Sequence, residues 1–165
     1  MCQLPKNTPE IHHEVELGVV IGTRGSCIKE SDALSYIGGY TLALDMTDRI
    51  AQGKAKKAGL PWSVAKGFDT ACPVSAFIPK EKIADPQNVD LWLKVNGDVR
   101  QKANTSEMIF TIPFLISWIS EHFTLEPGDL ILTGTPSGVG PVKAGDRIEC
   151  GLGDIVTMSF SVESK

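Results

Sequence analysis

The sequence predicts a mainly β protein of the α+β class, with few helices, that folds as a mixed or mainly antiparallel β-roll. Segments that alternate apolar and polar residues recur along the chain, and this period of two is typical of half-buried strands. Helices are few, and strands and helices do not alternate regularly, which argues against a doubly wound parallel sheet. With 165 residues, 42% of them hydrophobic and 22% charged, residues 1–165 are expected to form a single domain with a substantial core.

Composition and charge exclude several classes of function. The net charge of −4 comes without a basic run, so no nucleic-acid partner is expected. No apolar stretch approaches the roughly 20 residues that span a bilayer, so no membrane partner is expected either. The opening segment, MCQLPKNTPE, resembles neither a signal peptide nor a transit peptide. The four cysteines lack CxxC spacing and are expected to be reduced thiols: Cys2, Cys27, Cys72 and Cys150.

The first predicted strand, HHEVELGVVIG (residues 12–22), places two glutamates in an apolar segment. Because side chains alternate along a strand, Glu14 and Glu16 lie together on one face. The opposite face is apolar and comprises Val15, Leu17, Val19 and Ile21. Two adjacent carboxylates repel each other unless a cation or another partner lies between them. On this segment alone, an exposed and hydrated strand face is an equally good interpretation.

The second predicted strand, TLALDMT (residues 41–47), also carries a carboxylate. Its apolar face comprises Leu42, Leu44 and Met46, and its other face comprises Thr41, Ala43, Asp45 and Thr47. Taken alone, Asp45 is more often satisfied locally than bound to a ligand. Whether Asp45 binds a ligand therefore depends on whether it lies near the two glutamates.

Further strands are predicted in the second half of the chain. VDLWLKVNGDVRQK (residues 89–102) is a hairpin in which Asn96-Gly97 is a turn that accepts positive φ at both positions. EPGDLILTG (126–134) and KAGDRIECG (143–151) each predict a tight turn followed by an apolar strand. The last strand, GDIVTMSFSVES (153–164), has an apolar face formed by Val156, Met158, Phe160 and Val162.

Two helices are predicted. One begins after Thr111, a suitable N-cap, with Pro113 close to the first helical position. Its packing face follows helical spacing through Ile112, Leu115, Ile116, Ile119 and Phe123. The other is a short polar helix from about Asp48 to Lys57, ended by Gly59.

A candidate metal site combines the three carboxylates of Glu14, Glu16 and Asp45, each mounted on a strand. Hard divalent cations prefer such oxygen-only ligands, and Mg²⁺ usually keeps several waters that a substrate can displace. A site of three carboxylates with open positions is typical of catalysis more than of structural binding.

Polar residues near this site suggest an anionic, oxygen-rich substrate. Arg49 and Gln52 follow Asp45 by four and seven positions, so in a helix the three would share one face. Lys66, in the constrained segment SVAKGFD, can orient a carboxylate or stabilise an enolate. Without the carboxylates, a solvated helix face and an exposed lysine are the simpler interpretations.

The glycine-rich segment LTGTPSGVG (residues 132–140) follows a predicted strand. It is not a P-loop, because no Gly-Lys-Ser/Thr follows. It could present backbone N–H groups and the Thr135 hydroxyl to a carboxylate, and a plain tight turn is equally compatible. HHEVE does not match the HExxH pattern of zinc proteases, and His122 is expected to be a cation at a helix C-terminus.

Five ordered blocks of the sequence resemble the fumarylacetoacetate hydrolase family. They are HHEVELGVVIG, GGYTLALDMTDRIAQ, GLPWSVAKGFDTACPVSAFIP, LWLKVNGDVRQ and ILTGTPSGVGP. The similarity covers nearly the whole chain after about residue 10 and is closest to the small acylpyruvase members, the fumarylacetoacetate hydrolase domain-containing proteins.

This resemblance implies a β-roll of the fumarylacetoacetate hydrolase C-terminal-domain type that works as a homodimer. It implies Mg²⁺, or Mn²⁺, held by the three carboxylates. Lys66 and Gln52 would take part in catalysis. The substrate pocket would be lined by Arg49, Gln52, Lys66, Gly134 and Thr135.

The implied activity is hydrolysis of acylpyruvates and decarboxylation of oxaloacetate through a stabilised pyruvate enolate. The alternatives are an oxaloacetate keto–enol tautomerase and a catalytically silent metal-binding dimer. Members of the family carry an upstream lid with a His-Glu pair that activates water, and residues 1–10 do not resemble it. The lid is therefore expected to be absent and hydrolysis impaired. The resemblance implies a mitochondrial location, with a cytoplasmic one as the alternative.

Overall fold

The computed structural model describes residues 2–6, 8 and 10–165. These residues are mainly strands with few helices, which confirms the predicted fold class. The strands are β1 (Cys2–Leu4), β2 (Ile11–His13), β3 (Val15–Ile21), β4 (Ile37–Leu44), β5 (Thr47–Asp48), β6 (Ile78–Pro79), β7 (Asp90–Val95), β8 (Asp98–Asn104), β9 (Leu130–Leu132), β10 (Gly140–Val142), β11 (Arg147–Leu152) and β12 (Val156–Ser164).

Both predicted helices are present, and a short third one is added. The helices are α1 (Arg49–Ala58), α2 (Ser63–Lys66) and α3 (Ile112–His122), with 3₁₀ turns at Glu30–Tyr36, Lys80–Lys82 and Thr105–Glu107. The Thr111 hydroxyl caps α3 by accepting from Phe114 N–H at 3.2 Å. Gly59 ends α1 at a φ of 65°, where glycine is favoured. Phe123 is 66% exposed, so its prediction as part of the packing face is wrong.

The strands form three sheets among the described residues. Their orders are β1-β12-β11-β7-β8, β10-β2-β5 and β6-β4-β3-β9. β1 pairs with β12 in parallel, and the other ladders are antiparallel. This mixed, mainly antiparallel arrangement confirms the predicted sheet type. Within the same residues, no helix has the length and apolar character needed to cross a bilayer.

The predicted turns and strand faces are also present. Asn96 and Gly97 join β7 to β8 with φ values of 53° and 88°. The core is a hydrophobic cluster to which the apolar face of β3 contributes Val15, Leu17, Val19 and Ile21, each at most 1% exposed. Truncating one of these side chains to alanine is expected to cost about 2–5 kcal/mol. All four cysteines are free thiols, as expected, with Cys2 and Cys150 buried.

Two corners of the chain place the acidic residues. The chain leaves β2 and enters β3 at Glu14, and it leaves β4 and enters β5 through Asp45. β2 and β5 pair in one sheet, whereas β3 and β4 pair in another. The Asp45 N–H donates to the Glu14 carbonyl at 2.9 Å, which holds the corners side by side. The prediction that each carboxylate lies within a strand is therefore right for Glu16 and wrong for Glu14 and Asp45.

Candidate metal centre and substrate site

Three carboxylates meet where the corners adjoin. Glu14, Glu16 and Asp45 each offer one oxygen, and these oxygens all lie within 4.8 Å of one another. The two glutamates are buried and the aspartate is half-buried. Carboxylate oxygens at this spacing are the ligands that a hard divalent cation prefers. The structure thus brings together the three predicted ligands in a set that could hold such a cation.

Two basic side chains neutralise part of this acidic cluster. The Lys66 ammonium donates to Glu14 Oε2 at 3.0 Å, to Thr47 Oγ1 at 2.7 Å and to Asp45 Oδ2. The Arg49 guanidinium donates to the other oxygen of Glu14. Glu14 therefore lies between two cations. Lys66 is the last residue of α2.

Glu16 has a backbone donor as its nearest partner. Its Oε2 accepts from Gly134 N–H at 2.6 Å. Burial raises the pKa of Glu16 to about 7, and the nearby charges of Asp45 and Glu14 add to the rise, while the Gly134 hydrogen bond opposes it. Burial also raises the pKa of Asp45, against the opposing effect of Lys66. Burial and the neighbouring carboxylates therefore disfavour the ionised forms of Glu16 and Asp45, and a divalent cation would stabilise those forms.

Arg49 and Gln52 form a pair on the first turns of α1. Arg49 Nη1 donates to Gln52 Oε1 at 3.0 Å. The helix begins at Arg49, and the side chain of Asp48 caps it by accepting from Ala51 N–H. Asp45 lies before the helix, so the prediction that it shares a helical face with Arg49 and Gln52 is wrong. A guanidinium next to a carboxamide is nevertheless an arrangement that suits a substrate carboxylate.

The glycine-rich segment (residues 132–140) is hydrogen-bonded to β3, the acidic strand that carries Glu16. The Thr135 hydroxyl donates to Val15 O at 2.9 Å and accepts from Gln101 Nε2 at 2.8 Å. Its single proton is therefore donated within the protein, and the presentation of this hydroxyl to a ligand carboxylate stays a prediction. Gly134 N–H does reach a carboxylate, and that carboxylate belongs to Glu16. The segment leads into β10 without opening a helix, which agrees with its exclusion as a P-loop.

Sequence reasoning missed two residues beside the site. Thr47 accepts a hydrogen bond from Lys66. Its position on the same predicted strand face as Asp45 could have indicated that it lies beside the site. Gln101 is 1% exposed and contacts both the acidic strand and the glycine-rich segment. A single glutamine in an alternating strand gives no local signal for such a role.

The histidines have separate partners. His12 Nε2 donates to Glu10 at 2.8 Å, and among the described residues its buried Nδ1 has no hydrogen-bond partner. His13 is buried, with Nδ1 at 2.9 Å from Gln101 Oε1, and burial lowers its pKa. His122 ends α3, with Nδ1 at 3.1 Å from the Trp118 carbonyl, as predicted for a helix C-terminus.

A carboxylate triad faced by a lysine and an arginine, on a mixed β-roll, is an arrangement compatible with metal-assisted catalysis. Residues 2–163 match the family described as fumarylacetoacetate (FAA) hydrolase C-terminal. The chain belongs to this family, which is a family of enzymes, and the resemblance found in the sequence is confirmed.

Curated relatives cover nearly the whole chain. It is 58% identical over 160 residues to "Oxaloacetate tautomerase FAHD1, mitochondrial" of Homo sapiens, covering 97% of this chain and 72% of that protein. It is 56% identical over 161 residues to "Oxaloacetate decarboxylase, mitochondrial" of Dictyostelium discoideum, covering 97% and 74%. Both relatives carry a mitochondrial designation and act, by their names, on the same keto acid.

Solved structures share the fold. The fumarylpyruvate hydrolase of Pseudomonas aeruginosa, in complex with Mn²⁺ and pyruvate, superposes with a TM-score of 0.95 at 32% identity, covering 100% of this chain and 72% of that one. A putative fumarylpyruvate hydrolase of Burkholderia cenocepacia gives a TM-score of 0.95 at 43% identity, covering 99% and 73%. The β-roll predicted from the sequence is thereby confirmed.

Proposed function

We propose that this chain is a metal-dependent oxaloacetate tautomerase, which interconverts the keto and enol forms of its substrate. The observation that carries the proposal is the carboxylate triad with Lys66 and Arg49 against it. The name of the human relative supports the choice of reaction. Tautomerisation needs stabilisation of an enolate and movement of a proton at carbon, and it needs no attacking water.

Mg²⁺ or Mn²⁺ is the proposed cofactor, held by Glu14, Glu16 and Asp45. A bound ion of this kind supplies a Lewis acid that stabilises negative charge on an enolate oxygen. The Mn²⁺ in the Pseudomonas hydrolase supports a divalent ion in this fold. The approach of three carboxylate oxygens to within 4.8 Å of one another supports it from this chain's own residues.

The basic residues are proposed to bind substrate and to stabilise the charge that develops in the reaction. Lys66 places an ammonium among the carboxylates, where it would donate to the enolate oxygen. Arg49 would bind the distal carboxylate of the dianionic substrate. Gln52 Oε1 accepts from Arg49, so the amide nitrogen of Gln52 is its proposed donor to substrate. Gly134 and Thr135 would line the substrate pocket where the Gly134 N–H meets Glu16.

A second candidate reaction is decarboxylation of oxaloacetate, favoured by the name of the Dictyostelium relative. Loss of CO₂ leaves a pyruvate enolate, so the same residues would serve, again without an attacking water. Hydrolysis of acylpyruvates needs in addition a general base that activates water, and the Pseudomonas relative supports it as a third reaction of the same site. We also propose a homodimer in the mitochondrion, on the strength of the resemblance and of the relatives' designations.

Product analysis tests the proposal. Purified protein would receive enol-oxaloacetate, oxaloacetate and acetylpyruvate in turn, with Mg²⁺ or with EDTA. Ultraviolet absorbance would follow the enol, and a coupled lactate dehydrogenase assay would follow pyruvate. The test variant is Glu14→Ala/Glu16→Ala, and the matched control replaces two exposed glutamates, Glu81→Ala/Glu121→Ala.

We expect metal-dependent enol conversion in wild type and in the control, and its loss in the test variant. Pyruvate from oxaloacetate as the main product would favour the decarboxylase instead. Folded protein that binds metal but turns over no substrate would contradict the enzymatic proposal and support the silent dimer.

A further inference from the structure

We propose that Gln101 is a positioning residue that fixes the Gly134–Thr135 segment against the acidic strand. This inference deepens the proposed function and rests on it, because the expected effect on substrate binding assumes the proposed substrate site. Gln101 lies on β8, in a strand whose neighbouring residues Arg100 and Lys102 are exposed, yet its own side chain is 1% exposed. A buried polar side chain is costly unless its groups are hydrogen-bonded, so its contacts need an explanation.

The carboxamide of Gln101 makes four contacts on two sides. On one side, Oε1 accepts from Val15 N–H at 3.1 Å and lies 2.9 Å from His13 Nδ1. On the other side, Nε2 donates to Thr135 Oγ1 at 2.8 Å and to Pro136 O at 3.0 Å. The side chain therefore bridges two parts of the chain. One is the segment from β2 to β3, which carries Glu14 and Glu16, and the other is the segment that carries Gly134.

The partners determine the orientation of the amide. Pro136 O can only accept, and Val15 N–H can only donate. A flipped amide would place oxygen against oxygen on one side and N–H against N–H on the other. Because Oε1 is the acceptor, His13 must carry its proton on Nδ1. Burial lowers the pKa of His13, which is consistent with a neutral ring in this tautomer.

The bridge closes a ring of hydrogen bonds with the backbone of Val15. Thr135 accepts from Gln101 and donates to Val15 O, and Val15 lies between the two glutamates. The adjacent Gly134 N–H donates to Glu16. Further along the segment, a Cβ atom added at Gly138 would lie 2.0 Å from Arg100 O, so the backbone packs directly on β8. Gln101 thus holds the Thr135 end of the segment, whereas its start is held by the Thr133 hydroxyl, which donates to Leu17 O at 2.8 Å.

The ligands themselves have other supports. β3 pairs with β4 and β9, and Glu14 is held by Lys66 and Arg49. Loss of the Gln101 bridge should therefore displace the glycine-rich segment while leaving the metal ligands in place. This separates a positioning role from a merely structural one.

The test compares Gln101→Leu and Gln101→Glu with Gln87→Leu. Gln87 is a matched structural glutamine, because its Oε1 accepts from Ile112 N–H at the start of α3, away from the carboxylates. Three quantities are measured. They are hydrogen exchange of the Gly134 amide by NMR in metal-free protein, the Kd of Mn²⁺ by electron paramagnetic resonance, and the Kd of oxalate, an enolate mimic, for Mn²⁺-loaded protein.

We expect both Gln101 variants to exchange the Gly134 amide at least tenfold faster and to bind oxalate at least tenfold more weakly, with the Mn²⁺ Kd within threefold of wild type. Gln87→Leu should change none of the three.

Unchanged Gly134 exchange in a folded Gln101 variant would overturn the inference. Equal losses of Mn²⁺ and oxalate affinity would overturn it too, because the residue would then act on the metal ligands. If Gln101→Leu does not fold, the isosteric Gln101→Glu decides. A wild-type protein that binds neither Mn²⁺ nor oxalate would refute the proposed function, whereas the Gly134 amide would still decide the role of Gln101.

Discussion

Replacing Lys66 with methionine removes the ammonium group among the carboxylates and nearly preserves the length of the side chain. In the metal-free protein this group donates to Glu14, Asp45 and Thr47. Charge-assisted hydrogen bonds contribute about 1.5–3 kcal/mol each. The side chain is 24% exposed, so solvent weakens them. We expect the metal-free variant to lose about 2–3 kcal/mol of unfolding free energy.

The same substitution should strengthen metal binding. A unit positive charge about 4 Å from a divalent cation repels it by roughly 8 kcal/mol at an effective dielectric constant of 20. Screening at this partly exposed position reduces the figure to about 1.5–3 kcal/mol, which corresponds to a roughly tenfold to hundredfold lower Kd. Turnover should fall by about 100-fold or more, because a group that stabilises developing charge is lost.

Mn²⁺ titration at pH 8, thermal unfolding with and without Mn²⁺, and kcat on oxaloacetate measure the three effects. Lys54→Met, on the exposed side of α1, is the matched control and should leave all three unchanged. A Lys66→Met variant that binds Mn²⁺ more weakly than wild type would refute the electrostatic reasoning. Unchanged kcat would refute the role of Lys66 in the reaction.

Three further predictions concern single residues. Glu16 has a pKa raised to about 7 in the fold, so the metal-free protein should lose roughly 3 kcal/mol of unfolding free energy as pH rises from about 4.5 to 7. Chemical denaturation at several pH values should show a smaller loss in Glu16→Gln. An equal loss in wild type and variant would contradict the raised pKa of Glu16. Gly138→Ala should destabilise the protein by more than about 3 kcal/mol, because the added Cβ would meet Arg100 O and the φ of this residue is +97°. In contrast, a Cβ added at Gly53 in α1 meets nothing within 4 Å, so Gly53→Ala should stabilise by about 0.5–1 kcal/mol. Similar melting temperatures for the two variants would be inconsistent with the packing at Gly138. Arg49→Lys keeps the charge but loses the forked geometry, so KM for oxaloacetate should rise about tenfold with a smaller change in kcat, and an unchanged KM would count against substrate binding there.

Local rules were sufficient for much of the fold and for the carboxylates. Strand alternation placed the apolar face of β3 in the core and set Glu14 beside Glu16. Capping chemistry located the start of α3 through Thr111, and Gly59 located the end of α1. Lys66 and Arg49 lie against the carboxylates, and their role in lining the substrate pocket stays a prediction. These features depend on residues close together in the sequence or on motifs that are recognisable as blocks.

The remainder depends on contacts between distant residues. The corners at Glu14 and Asp45 arise because the chain passes there between two sheets, one containing β2 and β5 and the other containing β3 and β4. Alternation of apolar and polar residues alone predicts one uninterrupted strand through each corner. The Thr135 hydroxyl bonds a carbonyl 120 positions away, and Gln101 bonds an amide 86 positions away. No local pattern distinguishes this glutamine from one on an exposed strand. Hydrogen-bond partners of buried polar groups were therefore the part that the sequence could not predict.

In the proposed function, the carboxylate cluster and Lys66 stabilise an enolate of oxaloacetate. The most direct measurement follows exchange of the C3 protons of oxaloacetate in D₂O by NMR, with Mg²⁺ and with EDTA. We predict Mg²⁺-dependent deuteration at C3, well above the spontaneous rate, in wild type and in Glu81→Ala/Glu121→Ala, and its loss in Glu14→Ala/Glu16→Ala. Deuteration at the spontaneous rate with folded, Mg²⁺-loaded wild-type protein would contradict the claim.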